Sequence, residues 1–189
     1  MSAQLVNVID VEATCWTGQP PAGQVNQIIE IGLCVVDLTT RQRVASRGIL
    51  VRPSRSRVSA FCTELTSLTQ ADVDAGVSFA EACASLVGEE DSAHRVWLSW
   101  GDYDRKQFHN DCRGSGVAYP FGRHVNLKAA YTDAYQLRRR PGMAQALQHA
   151  GLPLEGRHHR GVDDARNIAA LLLRMLADGH DPLAAPPTG

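Results

Sequence analysis

Two carboxylates stand two residues apart in the apolar segment VIDVE, which ends at Glu12. If this segment is a strand, its side chains alternate between the two faces, so Asp10 and Glu12 project from the same face. Adjacent negative charges repel each other unless a cation neutralises them, and carboxylates suit a hard ion such as Mg²⁺ or Mn²⁺. The alternative is a strand end that simply emerges into solvent, because triplets of this kind are common.

A second acidic cluster follows the short apolar segment WLSW, where the chain reads GDYD and ends at Asp104. An apolar strand here runs into a glycine turn and the start of a helix. Asp104 is a candidate metal ligand, because open α/β sheets bind ligands at the ends of their strands. The alternative is that Asp102 or Asp104 only caps the helix.

A third cluster, HHRGVDD, opens the last amphipathic segment and ends at Asp164. Capping and the helix dipole explain one aspartate, and Asp163 is the predicted cap. They do not explain the pair His158 and His159. Since an imidazole can accept a proton from water near neutral pH, His159 is a candidate general base, although a single histidine is often incidental.

Taken together, the three clusters supply four carboxylates and one histidine. The candidate catalytic residues are Asp10, Glu12, Asp104, His159 and Asp164, and the four acidic ones are candidate metal ligands. This is the set required when two divalent ions about 3.5–4 Å apart drive hydrolysis of a phosphodiester. The joint occurrence predicts that chemistry, although each cluster alone has a structural explanation.

The patterns between the clusters predict a mixed α/β sheet with helices on its faces. Predicted strands cover residues 5–10, 27–37, 43–51 and 95–99, and predicted helices cover residues 78–87, 103–112, 127–135, 143–150 and a stretch from Asp163 onward. The first three strands are joined by short polar turns, which favours antiparallel neighbours. In the last helix, apolar residues recur at i, i+3, i+4, i+7 and i+8 and should pack on the sheet.

The length of 189 residues fits one domain, predicted at residues 1–180, with a flexible Pro-rich tail at 181–189. The net charge of -1 argues against a protein that coats long duplexes. Arginines are concentrated locally, for example in the run at residues 138–140. Guanidinium groups suit phosphate contacts, but each cluster alone is typical of a solvated surface.

The N-terminal residues 1–7 lack the pattern of a signal peptide, and no apolar run approaches the length of a membrane span. The five cysteines form no C-x-x-C motif, so they are interpreted as reduced thiols rather than as disulfides or a zinc site. We therefore expect a cytoplasmic protein with no membrane partner. Nothing in the sequence indicates an oligomeric state.

The three clusters and the sequence around them resemble the DEDDh 3′-5′ exonuclease superfamily. Within it, they are most similar to the 3′ histone mRNA exonuclease and KapD-like group. The resemblance is carried by the segments IDVEATCW, NQIIEIG, FCTELTSLTQADVD, SWGDYDRKQF and GRHHRGVDDARNIA, and it spans residues 6–176. It implies an RNase H-like three-layer α/β fold with a five-stranded mixed β-sheet flanked by helices. It also implies a preference for 3′ ends of RNA or short single-stranded nucleic acid.

By the same resemblance, Asp10 and Glu12 match the first motif, Asp104 the second, and His159 with Asp164 the third. The site would hold two ions, Mg²⁺ or Mn²⁺, with Asp10 shared between them, while His159 takes the proton of the attacking water. The product would be a nucleoside 5′-monophosphate. Asp102 departs from the family pattern and leaves open which aspartate reaches the metal.

The resemblance also suggests where the terminal nucleotide would lie. The implied substrate-binding residues are Ala13 and Thr14 through their backbone, Phe61 and Leu65 beside the base, and Trp16 or Trp100 as an aromatic wall. Core packing is the alternative for Phe61 and Leu65. For Glu30, which matches a position common in these enzymes, a structural role on a strand is expected.

Three other functions stay open at this point. A DNA exonuclease that trims or proofreads 3′ ends would need the same residues as an exoribonuclease. A noncatalytic RNA-binding module would keep the fold without the chemistry, which the complete acidic set and His159 argue against. A phosphodiesterase for small nucleotides is the third.

Overall fold

Within residues 4–184, which the computed structural model describes, five strands form one mixed sheet. The strands are β1 (Leu5–Ala13), β2 (Ile28–Asp37), β3 (Gln42–Leu50), β4 (Trp97–Ser99) and β5 (His124–Asn126). Their order across the sheet is β3-β2-β1-β4-β5. The first three strands are antiparallel neighbours, as predicted, and β4 and β5 continue the sheet parallel to β1.

Helices cover both faces of this sheet. In the same range they are α1 (Ala60–Thr66), α2 (Gln70–Asp74), α3 (Phe79–Glu90), α4 (Tyr103–Ser115), α5 (Leu127–Ala134), α6 (Met143–Ala150) and α7 (Gly161–Ala177). The five longer helices were predicted, whereas α1, α2 and β5 were not located by sequence pattern. A side-chain cap begins each of the two missed helices, Ser59 for α1 and Thr69 for α2. Neither is long enough to show a helical period.

Alternation along β1 sorts its side chains between two cores. Val6 and Val8 pack with α5, α6 and α7 on one face, whereas Ile9 and Val11 pack with α3 and α4 on the other. Asp10 lies two residues after Val8, so its side chain projects from the same face of β1 and faces α7. The chain thus has three layers, helices on sheet on helices, as the resemblance implied.

Helix α7 begins in backbone-to-backbone contact with β2. Gly32 lies directly opposite Asp10 in the β1-β2 pair, and a Cβ atom on Gly32 would lie 1.9 Å from the carbonyl carbon of Gly161. The buried carboxylate of Glu30 accepts a hydrogen bond from the Gly161 amide at 3.0 Å and pairs with Arg160 at 3.1 Å. Two glycines and one buried glutamate therefore fix the start of α7 beside Asp10.

The folded chain extends slightly past the predicted domain boundary. Leu183 packs against the core, and its carbonyl accepts a hydrogen bond from Arg123 at 2.9 Å. Residues 185–189 of the predicted tail lie outside the described residues. None of the helices found between residues 4 and 184 is long and apolar enough to cross a membrane.

Replacing Gly32 with Ala should destabilise the protein, because the new methyl group would overlap the backbone of Gly161. We expect a loss of about 2–3 kcal/mol in the free energy of unfolding measured with urea. The matched control is Gly88→Ala in α3, where a Cβ atom meets nothing within 4 Å. That control should be neutral or stabilising by up to about 1 kcal/mol. Equal effects in the two variants would refute the proposed contact.

Candidate active site

The carboxyl ends of β1 and β4 and the starts of α4 and α7 surround one cleft of about 330 Å³. Eight of the eleven predicted site residues line it: Asp10, Glu12, Ala13, Leu65, Trp100, Asp104, His159 and Asp164. They come from four regions that are far apart in sequence, namely the three acidic clusters and α1, which carries Leu65. The fold therefore brings the three acidic clusters together at one edge of the sheet.

Three predicted substrate contacts, Thr14, Trp16 and Phe61, do not line the cleft. Thr14 is fully buried, its amide donates to the Gln27 carbonyl at 2.9 Å, and its hydroxyl accepts from the Gln27 amide at 3.0 Å. Its polar groups hold the loop after β1 rather than facing the cleft. Phe61 is 36% exposed on α1 but is not part of the cleft wall, which α1 supplies through Leu65.

Three carboxylates form the floor of the cleft. Oxygen atoms of Asp10, Glu12 and Asp164 all lie within 4.8 Å of one another. Asp104 approaches β1 from the α4 side, where its Oδ1 atom accepts a hydrogen bond from the Val11 amide at 2.9 Å. Glu12, Asp104 and Asp164 are each less than one-tenth exposed. Four acidic groups thus share one poorly solvated volume.

Burial and mutual repulsion make this cluster costly to ionise. Burial, followed by the charges of Asp104 and Asp164, raises the pKa of Asp10 well above its ordinary value. Burial, followed by the charges of Asp164 and Glu30, raises the pKa of Glu12 to about 8, and burial raises the pKa of Asp104 to about 6. Burial also raises the pKa of Asp164. A divalent cation fits this donor set, because it supplies the missing positive charge to oxygen ligands.

Two neighbouring histidines flank Asp164. His159 has a left-handed backbone (φ 65°), and its amide donates to Asp164 Oδ2 at 2.9 Å. The Nδ1 atom of His158 lies 3.0 Å from the same oxygen, and the two imidazole rings stack with centroids 4.0 Å apart. Burial and then His158 lower the pKa of His159, with Asp164 opposing. A neutral imidazole, able to accept a proton, therefore lies beside the carboxylates.

The remaining aspartates of the clusters have structural partners. Asp102 occupies the position before α4, yet its side chain makes no capping hydrogen bond among the described residues. It accepts from the side-chain Nδ2 of Asn126 at 2.9 Å and pairs with Arg105 at 3.2 Å. Of the two aspartates, only Asp104 lines the cleft.

The prediction that Asp163 caps α7 was wrong. The cap position belongs to Arg160, and Asp163 lies in the first turn, where its Oδ2 atom accepts from the Arg157 amide at 2.9 Å. Asp163 therefore closes the loop before α7. The first amide of the helix is satisfied instead by Glu30 from β2, a partner distant in sequence.

Comparison with known proteins places this arrangement in a family. The model of a family described as exonuclease matches residues 7–172. The 3′-5′ exonuclease Snipper of Drosophila melanogaster is 33% identical over 198 residues, which cover 92% of this chain and 70% of that protein. This chain belongs to the DEDDh 3′-5′ exonuclease family.

Other relatives of this exonuclease support the same family assignment. Human 3′-5′ exoribonuclease 1 is 32% identical over 183 residues, which cover 91% of this chain and 52% of the human protein, so the chain spans about half of that relative. The solved nuclease domain of 3′hExo, a DEDDh family member bound to rAMP, superposes with a TM-score of 0.87 at 29% identity, covering 95% of this chain and 94% of that one. The predicted family and RNase H-like fold are confirmed.

Five residues that line the cleft were not predicted as site residues: Val11, Cys15, Tyr103, Met143 and His158. Tyr103 had a detectable signal, since it is the aromatic residue directly before Asp104, and it is 55% exposed. His158 was noted only as part of a pair. Nothing in the local sequence marks Met143, which enters the cleft because α6 packs on α7.

The metal-free exonuclease should lose stability as pH rises. Because the pKa of Glu12 is about 8 in the folded protein and 4.5 ordinarily, the folded state binds more protons than the unfolded chain between these values. The raised pKa of Asp10 acts in the same direction. Stability in EDTA should therefore fall from about pH 6 to about pH 8.5, and the increase in Tm caused by Mg²⁺ should be larger at the higher pH.

Asp10→Asn tests this explanation by removing one of the repelling charges. In EDTA at about pH 8.5 it should raise Tm by a few degrees, about 2–4 °C per kcal/mol, and abolish the further increase with Mg²⁺. Exposed Asp133 in α5 provides the matched control, Asp133→Asn. A Tm in EDTA that rises with pH over this range would contradict the assignment.

Proposed function

We propose that this exonuclease removes nucleoside 5′-monophosphates, one at a time, from the 3′ ends of single-stranded RNA by metal-dependent hydrolysis. The observation that carries the proposal is the joint placement of Asp10, Glu12 and Asp164 within 4.8 Å, with Asp104 and His159 in the same cleft. Short single-stranded DNA has the same scissile bond and is the second candidate substrate.

Asp10, Glu12 and Asp164 would hold one Mg²⁺ or Mn²⁺ ion, and Asp10 with Asp104 would hold a second. When bound, such ions supply positive charge to the attacking and leaving oxygens of the phosphodiester. A second group of possible ligands, His158, His159 and Asp164, also lies within 4.8 Å. The oxygen group is favoured, because it holds the excess negative charge and because carboxylates suit Mg²⁺ and Mn²⁺.

His159 would accept the proton of the attacking water. Its lowered pKa keeps the ring neutral near pH 7, as a general base requires. Asp164 is oriented by the His159 amide and by the His158 ring, which limits the rotation of its carboxylate. These contacts link the base to a metal ligand through one short segment of backbone.

The walls of the cleft would hold the terminal nucleoside. Leu65 and Ala13 offer an apolar surface, and the exposed ring of Tyr103 offers a face on which a base could stack. Trp100 lies in the remaining wall, with its indole Nε1–H donating to the Pro141 carbonyl at 3.2 Å. Its ring is thereby fixed in place.

The preference for RNA is supported by relatives whose names contain exoribonuclease, including human ERI1 exoribonuclease 2 at 32% identity. A noncatalytic module is disfavoured, because the carboxylates and His159 are complete and converge in the cleft. We also propose that the predicted domain, residues 1–180, acts as one unit together with Leu183, which packs against its core, and that the protein is cytoplasmic. All five cysteines carry free thiols in the described chain, as a reducing compartment favours.

The activity is tested with 5′-labelled single strands of RNA and of DNA of the same sequence, in Mg²⁺, in Mn²⁺ and in EDTA. We expect a ladder that shortens from the 3′ end, faster on RNA and absent in EDTA. A blocked 3′ end should abolish the ladder. Equal rates on the two strands would overturn the RNA preference, and ladders that persist in EDTA would overturn the metal-dependent mechanism.

Variants separate the proposed roles. His159→Ala should lower kcat by about 10²–10⁴ while sparing metal binding, and Asp10→Ala should impair both. His94→Ala is the matched control, because His94 is exposed and pairs with Asp91 outside the cleft. Undiminished kcat in His159→Ala would exclude the residue as the base.

A further inference from the structure

An exposed run of three arginines, residues 138–140, lies in the connection between α5 and α6. Several arginines elsewhere pair with acids, as Arg43 does with Glu155 at 2.9 Å and Arg160 with Glu30 at 3.1 Å. Within residues 4–184, the side chains of 138–140 make no hydrogen bond or ion pair. Three unpaired guanidinium groups are therefore available to an external anion.

This basic run leads directly into one wall of the catalytic cleft. The next residue, Pro141, accepts the hydrogen bond of Trp100 Nε1 at 3.2 Å, and Met143 follows two residues later. Both Trp100 and Met143 line the cleft. The run therefore ends directly before Pro141, which contacts the wall residue Trp100, and three residues before the wall residue Met143.

The charges near the run are mostly positive or already paired. Lys128 contributes another cation near Gly101, on the same side of the cleft. Asp102 is held by Arg105 and Asn126, which leaves Asp133 of α5 as the exposed acid in the neighbouring helix. The surface around residues 138–140 thus carries an excess of positive charge, although the whole protein has a net charge of -1.

The two walls of the cleft lie on opposite sides of β1 in the sheet. Helix α1, which carries Leu65, packs against β2 and β3, whereas Trp100 packs against Tyr131 of α5, beyond β4. The carboxylates lie between these walls. In this arrangement the terminal nucleoside of an RNA strand would contact Leu65, and the scissile phosphate would lie at the carboxylates. The rest of the RNA would then continue past Trp100 towards residues 138–140.

We propose that residues 138–140 bind the phosphates of the nucleotides on the 5′ side of the scissile bond. This inference rests on the proposed exonuclease function. Four carboxylates repel an approaching polyanion, so a positive surface outside the cleft offsets that repulsion and holds the strand. Guanidinium groups can make bidentate contacts with phosphate oxygens, and such contacts carry no base specificity.

The test compares two triple variants that change the net charge equally. The first is Arg138→Gln/Arg139→Gln/Arg140→Gln. The control is Arg41→Gln/Arg113→Gln/Arg174→Gln. Arg41 lies in the β2-β3 turn, at the end of the sheet away from the cleft. Arg113 and Arg174 lie about 13–15 Å along α4 and α7 from Asp104 and Asp164.

A comparison of a short and a long substrate then separates the effect of residues 138–140 from effects on the cleft itself. A dinucleotide with a 5′ hydroxyl has no phosphate upstream of the scissile one, whereas a strand of about twelve nucleotides has many. For the long strand we expect the first variant to raise KM about tenfold or more with kcat unchanged. The slope of log(1/KM) against log[salt] should become shallower by about two, because three phosphate contacts are lost. Hydrolysis of the dinucleotide should change less than about twofold, and the control should match the parent on both substrates.

Binding without turnover separates this proposal from the proposed function. Fluorescence anisotropy with a labelled RNA of about twelve nucleotides that carries a 3′ phosphate gives Kd whether or not the protein hydrolyses RNA. The first variant should raise this Kd about tenfold relative to the parent and control. An unchanged Kd and KM, or an equal loss on the dinucleotide, would overturn the proposal. A parent that binds through residues 138–140 but hydrolyses neither substrate would overturn the proposed function alone.

Discussion

The contact between Gly32 and Gly161 is the constraint on which the catalytic arrangement depends. It allows α7 to begin against the backbone of β2, opposite Asp10. Glu30 holds the helix there by accepting from its first amide and pairing with Arg160. From that position α7 places Asp164 against β1, and the loop before it brings the histidines to the same cleft. A side chain at either glycine would separate these groups.

The same contact creates an electrostatic cost. It brings Asp164 to Asp10 and Glu12, while Val11 holds Asp104 through its amide. Carboxylates in so little solvent raise one another's pKa, so the fold alone does not favour their full ionisation. Divalent ions would remove this cost, which couples the stability of the protein to the binding of its proposed cofactor. The candidate active site is therefore a region where the proposed function opposes metal-free stability.

Sequence alone predicted many of the residues that the fold brings together in one cleft, because some signals are local. The spacing of Asp10 and Glu12 fixes their common face through the two-residue period of a strand. The length and apolar stripe of α7 make it unmistakable. By contrast, α1, α2 and β5 are too short to show a period. The sequence-based cap at Asp163 was wrong, because the actual acceptor, Glu30, is 131 residues from Gly161. Long-range partners leave no local pattern.

The central claim is that the carboxylates of Asp10, Glu12, Asp104 and Asp164 together form the metal site. An anomalous difference map from crystals grown with Mn²⁺ tests it most directly. We expect two peaks about 3.5–4 Å apart among these carboxylates, with Asp10 between them. A single peak held by His158, His159 and Asp164, or no peak in the cleft, would contradict it.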